Sequence, residues 1–222
     1  MPKNESTSIP PSKLVTAYSS EDYIEVVAPK IYPREPPPSI RNGKNTYIDT
    51  RTGELKQYKN VSNKDKPLDQ LCDEFSRKYQ PLGRIIRANF VGDDTEKHIT
   101  LTYDGVMIDK KQLGKDFKAF IDNFNYNYPD YDCVYVNIKE LQQRLCLHCH
   151  LLLKNNNGKP LKISKEDIQN LWEHGGVKIK PIRNAVRLSF YFNVTLDEKK
   201  KQTLPHYPDK MKIYACSTED TI

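Results

Sequence analysis

Between residues 98 and 182 the hydrophobic period of the chain changes from two to about 3.6 and back, twice. That alternation restricts the fold more than any other property of the sequence. HITLTYDG (98–105) places β-branched and apolar residues in strand fashion and stops at Asp-Gly. DKKQLGKDFKAFIDNFNYNY (109–128) spaces Leu113, Phe117, Phe120, Ile121 and Phe124 along one side of a helix. YDCVYVNIKEL (131–141) and RLCLHCHLLLK (144–154) return to strands, and VKIKPI (177–182) is another. Between them, ISKEDIQNLWEHGG (163–176) has Ser164 as N-cap with Asp167 three residues on. Its apolar face is Ile168, Leu171 and Trp172, and Gly175-Gly176 is the stop. Upstream, Leu68, Leu71, Cys72 and Phe75 form one helical face, and GRIIRANF (83–90) reads as the strand that opens the core. The expected fold is α+β: a central, mostly antiparallel sheet with flanking helices.

The first 66 residues look different. Eight of the fifteen prolines fall within the first 60 positions, Pro36-Pro37-Pro38 among them, and few large apolar residues are in phase. An extended Pro-rich N-terminal arm is expected over 1–66, with a short hairpin at NTYIDTRTGELKQYKN. The folded domain is expected over 67–216 and a tail over 217–222. Mean hydropathy is −0.75, with no apolar run of about 18 residues and no apolar signal core at the start. A soluble intracellular protein without a membrane partner is the expectation. Five scattered cysteines without a CxxC pair read as reduced thiols.

The stretch LHCHLLLK sets two imidazoles on one face of a strand, because His148 and His150 are two residues apart and Cys149 points the other way. Two such rings about 7 Å apart at Cβ can turn toward one divalent ion. A third ligand is needed, and Glu140 lies on the preceding strand, within reach if LQQRLC makes a tight turn. One alternative is a solvated pair of histidines. Another is a zinc site using Cys146, His148, Cys149 and His150, which strand geometry disfavours because the cysteines fall on opposite faces.

Charge is concentrated at the other end. From Val177 to Ala215 there are nine basic residues against three acidic ones, a surplus equal to the +6 of the whole chain. A polyanionic partner is one reading of that segment and a solvated basic face is the other.

HITLTY, then YVNIKELQQRLCLHCHLLLK, LWEHGGVKIKPI and RLSFYFNVTLDEKKK resemble, in that order, the replication-initiator group of the HUH endonucleases. More narrowly, they resemble the rolling-circle initiators of Gram-positive plasmids and integrative elements. The resemblance spans about residues 84–216, with echoes in YIEVVAPK, YIDTRTGELKQY and HYPDKMKIYACS. It implies an HUH/RRM-like sheet and a metal-dependent enzyme that nicks single-stranded DNA at a specific site and transfers the strand through a 5′-phosphotyrosine. Rolling-circle replication of a mobile element would begin there.

In that reading His148, His150 and Glu140 hold Mg²⁺ or Mn²⁺, with Gln142 or Gln143 as substitutes for the acid. Thr100, Leu101, Thr102 and Tyr103 match the strand underlying the site, and Tyr191 matches the nucleophile, with Tyr207 and Tyr214 as the alternatives in the basic segment. Lys178, Lys180, Arg183, Arg187 and Tyr103 become candidates for holding the strand, with Phe190 and Phe192 as further stacking candidates. Origin DNA, in one form presented as a hairpin, is the implied partner, with a host helicase and polymerase, in the cytoplasm of a bacterial host. No GxxxxGK[ST] loop occurs in the chain. A relaxase or transposase of the same superfamily, or a DNA-binding protein that keeps the fold without the activity, are the alternatives.

Three positions depart from the family pattern. Leu145 stands where relatives place a turn glycine, and Thr195 where they often have a second tyrosine. VRLSFYFNVT alternates as a strand would, whereas the resemblance implies a helix around Tyr191. The expectation adopted for that segment is the helix.

Overall fold

The computed structural model describes residues 16–20, 23–27, 39–59, 61–193 and 198–217, and Thr195 lies outside them. The chain divides into two compact units, 1–61 and 62–222. In the first, β1 (Thr16–Ser20) and β2 (Tyr23–Val27) pair antiparallel. The expected hairpin is formed by β4 (Thr46–Asp49) and β5 (Leu55–Gln57), and β3 (Ser39–Arg41) pairs along the free side of β4. Gly53 turns this hairpin at φ 69°, and Lys56 donates to Asp49 across it at 2.7 Å.

The second unit begins with α1 (Leu68–Asn89). GRIIRANF is its C-terminal half and not a strand, which corrects the expectation from the sequence. Leu82, Ile85 and Ile86 continue the buried face begun by Leu71, Phe75 and Tyr79. Pro81 and Gly83 both look like breakers, and here the packing of that continuous face outweighs them. The other sequence-read elements follow: β6 (Glu96–Leu101), α2 (Lys110–Asn127), β7 (Cys133–Leu141), β8 (Leu147–Asn155), α3 (Lys165–Leu171) and β9 (Val177–Pro181). Asp109 caps α2, accepting from the Lys111 and Gln112 amides, and Ser164 caps α3 through the Asp167 amide at 3.0 Å.

After β9 come α4 (Ala185–Asn193), α5 (Glu198–Thr203) and β10 (Tyr214–Cys216). The alternating stretch around Tyr191 is therefore helical. Ala185, Ser189 and Phe192 turn inward at helical spacing, while Val186, Phe190 and Tyr191 are about half exposed. Asn184 starts this helix by accepting from the Arg187 amide at 2.7 Å.

The sheet has the order β10-β7-β8-β6-β9, and all neighbours run antiparallel. Register sorts its side chains. Ile99, Leu101, Cys149, Leu151, Leu153 and Val177 share one buried face. The α2 helix reaches that side through Phe117, whose ring meets Tyr135 at 5.5 Å. The opposite face carries Glu140, His148, His150, His98, Thr100, Lys178 and Lys180. Alternation along four adjacent strands thus gathers the polar chemistry on one side.

Candidate metal centre and groove

Glu140 on β7 and His148 on β8 are direct cross-strand partners. The turn between them spans Gln142 to Cys146, closed by Gln142 N–H to Cys146 O at 3.0 Å and Leu145 N–H to Gln142 O at 2.8 Å. Leu145 adopts φ 55°, the left-handed conformation that a glycine would take without strain. The leucine therefore bears a cost, and Glu140 and His148 still pair directly across the hairpin. At the β7 side, the Leu141 amide donates to the buried Tyr207 hydroxyl at 3.0 Å, which pins the strand end next to Glu140.

Three atoms converge on this face. His148 Nε2 lies 2.8 Å from His150 Nε2, and Glu140 Oε2 lies 3.1 Å from His150 Nε2 and 3.6 Å from His148 Nε2. An octahedral ion with bonds of about 2.1 Å sets neighbouring ligand atoms about 3 Å apart, so these spacings suit one divalent cation. All three residues are almost fully buried, and among the described residues they are the one His/Cys/Asp/Glu cluster with converging ligand atoms. The cysteines take no part: Cys149 faces the apolar side opposite Leu101, and Cys146 Sγ is directed at Gly105 O.

Electrostatics favour an electron-rich cluster. Burial by itself raises the Glu140 carboxyl, but the hydrogen bond with His150 and the Lys200 charge outweigh it and hold the group down at about 2. Lys200 Nζ reaches Glu140 Oε1 at 3.0 Å, leaving Oε2 toward the histidines. Burial, then the neighbouring His150, lowers His148 to about 4. Burial, followed by His150 and Lys180, lowers His98 to about 3. Both rings are neutral near pH 7, as ligands or hydrogen-bond partners of a cation site must be.

Tyr191 faces the cluster from α4. Its ring centroid is 6.4 Å from that of His150, Lys200 Nζ stands 5.1 Å from the ring centre, and the side chain is 55% exposed. Phe192 packs against His150 and His98 from the same helix, which seats α4 on the polar face of the sheet.

A groove of about 1130 Å³ runs over these residues, lined by seven lysines and arginines with Glu140 as its one acid. Lys178, Lys180, Arg183 and Arg187 are among the seven, so four of the five strand-holding candidates share the groove with Tyr191. Tyr103 does not, and that expectation is corrected. Tyr103 is 6% exposed, its hydroxyl donates to the buried Asp116 at 2.8 Å, and its ring packs edge-on against Trp172. Phe192 is buried as well, whereas Phe190 is 52% exposed. Gln142 and Gln143 line the groove without joining the three converging atoms.

The sequence reading missed His98, Lys200 and Arg144. His98 Nε2 lies 3.0 Å from His150 Nδ1. Arg144 reaches back from the turn to Tyr103 O at 2.7 Å and lines the groove. The signal for His98 was its even spacing from Thr100 in a strand. Nothing local to Lys200 distinguished it from Lys199 and Lys201.

Residues 96–203 match the family model described as replication-associated protein ORF2/G2P. Among curated proteins and among solved structures, none matches the chain. The match covers 108 of the 222 residues, just under half of the chain. Among the described residues no helix is long and apolar enough to cross a membrane.

Proposed function

We propose that the chain is a metal-dependent nicking and strand-transfer enzyme for single-stranded origin DNA, with Tyr191 as nucleophile, that starts rolling-circle replication of a mobile element. The observation that carries this reading is the convergence of Glu140 Oε2, His148 Nε2 and His150 Nε2 beside a half-exposed tyrosine in a cationic groove. A divalent cation such as Mn²⁺ or Mg²⁺ held by those three residues supplies charge that polarises the scissile phosphate and offsets the charge of the transition state.

The remaining work falls to the chain itself. Lys178, Lys180, Arg183 and Arg187 hold phosphates along the groove and fix the register of the strand. The Tyr191 oxygen attacks phosphorus in line, and the bond to the 3′ oxygen breaks. The phenol gives up its proton, the departing oxygen gains one, and the 5′ phosphate stays on the enzyme. Lys200, bonded to Glu140 and standing over the Tyr191 ring, adds a positive charge to the groove where the phosphate would lie. The retained ester allows later rejoining, and the free 3′ hydroxyl can prime a polymerase supplied by the host. Leu145 raised the prospect of a misaligned acid and an inactive fold. The direct pairing of Glu140 with His148 supports an aligned acid in spite of Leu145.

The test uses the full chain, Mn²⁺ and labelled single-stranded oligonucleotides tiled across the origin region of the element that encodes it. A DNA–protein adduct stable on a denaturing gel is expected, abolished by EDTA and by Tyr191→Phe. Cleavage without any adduct, or an adduct that persists in Tyr191→Phe, would overturn the assignment.

A further inference from the structure

We propose that His98 is a positioning residue for the candidate metal centre: it accepts the Nδ1 proton of His150 and so keeps the His150 Nε2 lone pair turned toward the cation. This rests on the metal reading above.

A neutral imidazole carries one proton, on Nδ1 or on Nε2, and only the nitrogen without it can bind a metal. The Nε2 of His150 is surrounded by the two other ligand atoms, at 2.8 and 3.1 Å. When a cation is bound there, Nε2 gives it the lone pair in place of the proton it otherwise shares with Glu140, so Nδ1 holds the ring's proton and needs an acceptor. Two atoms are available. His98 Nε2 lies at 3.0 Å and Thr100 Oγ1 at 3.3 Å, both from β6, which pairs with β8 along this stretch.

The shorter contact belongs to His98, and its ring is braced. Phe192 packs edge-on against it at 6.0 Å between centroids, and the same phenylalanine packs against His150 at 5.2 Å. One aromatic side chain therefore holds both partners of the bond. At His148 no side chain plays that part: Nδ1 is buried without a hydrogen bond of ordinary geometry, and the Glu140 backbone is the polar group near the ring. The two ligand histidines are thus held differently: a second imidazole meets the outer nitrogen of His150, and none meets that of His148. An outer acceptor of this kind fixes ring orientation and tautomer and raises ligand basicity, with losses of about 10–100-fold in metal affinity when it is removed.

The experiment has two readouts on the full chain, neither of which is activity. In 15N-histidine-labelled protein at a Mg²⁺ concentration that just saturates the wild type, long-range 1H–15N correlations report which nitrogen of His150 is protonated. Calorimetric titration with Mn²⁺ alone reports affinity. We expect His150 as the Nδ1–H tautomer in the wild type, and a mixture of tautomers in His98→Ala with an affinity about 10–100-fold lower.

His98→Gln can set an amide oxygen where Nε2 stood and restores both readouts, whereas the shorter His98→Asn does not. Thr100→Val leaves both unchanged. If His98→Ala binds Mn²⁺ as tightly as the wild type, or if wild-type His150 carries its proton on Nε2, the role assigned to His98 is overturned while the metal centre stands. If the wild type binds no Mn²⁺, the metal centre itself falls and the assigned role falls with it, whatever the tautomer. Failure of His98→Ala to fold would be visible as lost circular dichroism, and the Gln and Asn pair then decides.

Discussion

Replacing Gly92 by alanine tests how α4 is held against the sheet. Gly92 has φ 101°, and an added Cβ would stand 2.7 Å from the carbonyl carbon of Arg183 and 2.9 Å from its oxygen. Its loop cannot retreat easily. The Val91 and Gly92 amides donate to the Glu96 carboxylate at 3.0 and 2.8 Å, and that side chain is wholly buried.

Two costs add. Holding a non-glycine residue at such a φ costs about 1–3 kcal/mol, and wedging a methyl against unyielding backbone adds about 1–3 kcal/mol. The smaller unfolded ensemble of alanine returns about 0.4–1 kcal/mol. The net loss is roughly 2–5 kcal/mol, which for a unit of this size lowers the thermal midpoint by about 5–15 °C. Gly158 supplies the control, with φ 76° and nothing within 4 Å of an added Cβ. Gly158→Ala bears the dihedral cost alone. Melting curves of both variants, followed by circular dichroism without metal, give the difference. Equal losses in the two would refute the close approach of Gly92 to the start of α4.

Two further outcomes are expected. Leu145→Gly removes about 1–2 kcal/mol of left-handed strain at φ 55° and loses about 0.4–1 kcal/mol to the larger unfolded ensemble of glycine, a net gain of about 0.5–1 kcal/mol, read as a higher melting midpoint with Mn²⁺ affinity unchanged; a lower midpoint counts against strain at that turn. The metal-free protein should lose stability on acidification from pH 6.5 toward 4. His98 and His148, ordinarily near 6.5, are lowered by burial to about 3 and about 4, so in that window the unfolded chain binds more protons than the folded one. His98→Gln should flatten part of the slope, and an unchanged profile in that variant would contradict a buried neutral His98.

Much of this fold can be read from periodicity, and the reasons for the exceptions are physical. Both α2 and α3 announce themselves because caps and apolar faces agree. The strands β7 and β8 are legible because alternation is local. By contrast, the second half of α1 reads as a strand because Pro81 and Gly83 interrupt the local signal, while the packing partners that override it lie elsewhere in the chain. Tyr103 looked like a groove residue because a tyrosine at a strand end can face either way. Its hydroxyl is committed to Asp116, a buried acid that no local pattern marks.

The candidate centre divides along the same line. Glu140, His148 and His150 are close in sequence and could be aligned from strand parity. His98 and Lys200 approach from other elements, and only the register of β6 and the position of α5 bring them in.

The left-handed leucine has an implication for other chains. Strand pairing dictates where Glu140 and His148 meet, and the residue at the bend merely endures the shape imposed on it. Glycine at that slot is therefore a convenience that sequences can shed while keeping the three converging atoms. A pattern that required glycine there would pass over this chain, and one written around the acid and the paired imidazoles would not.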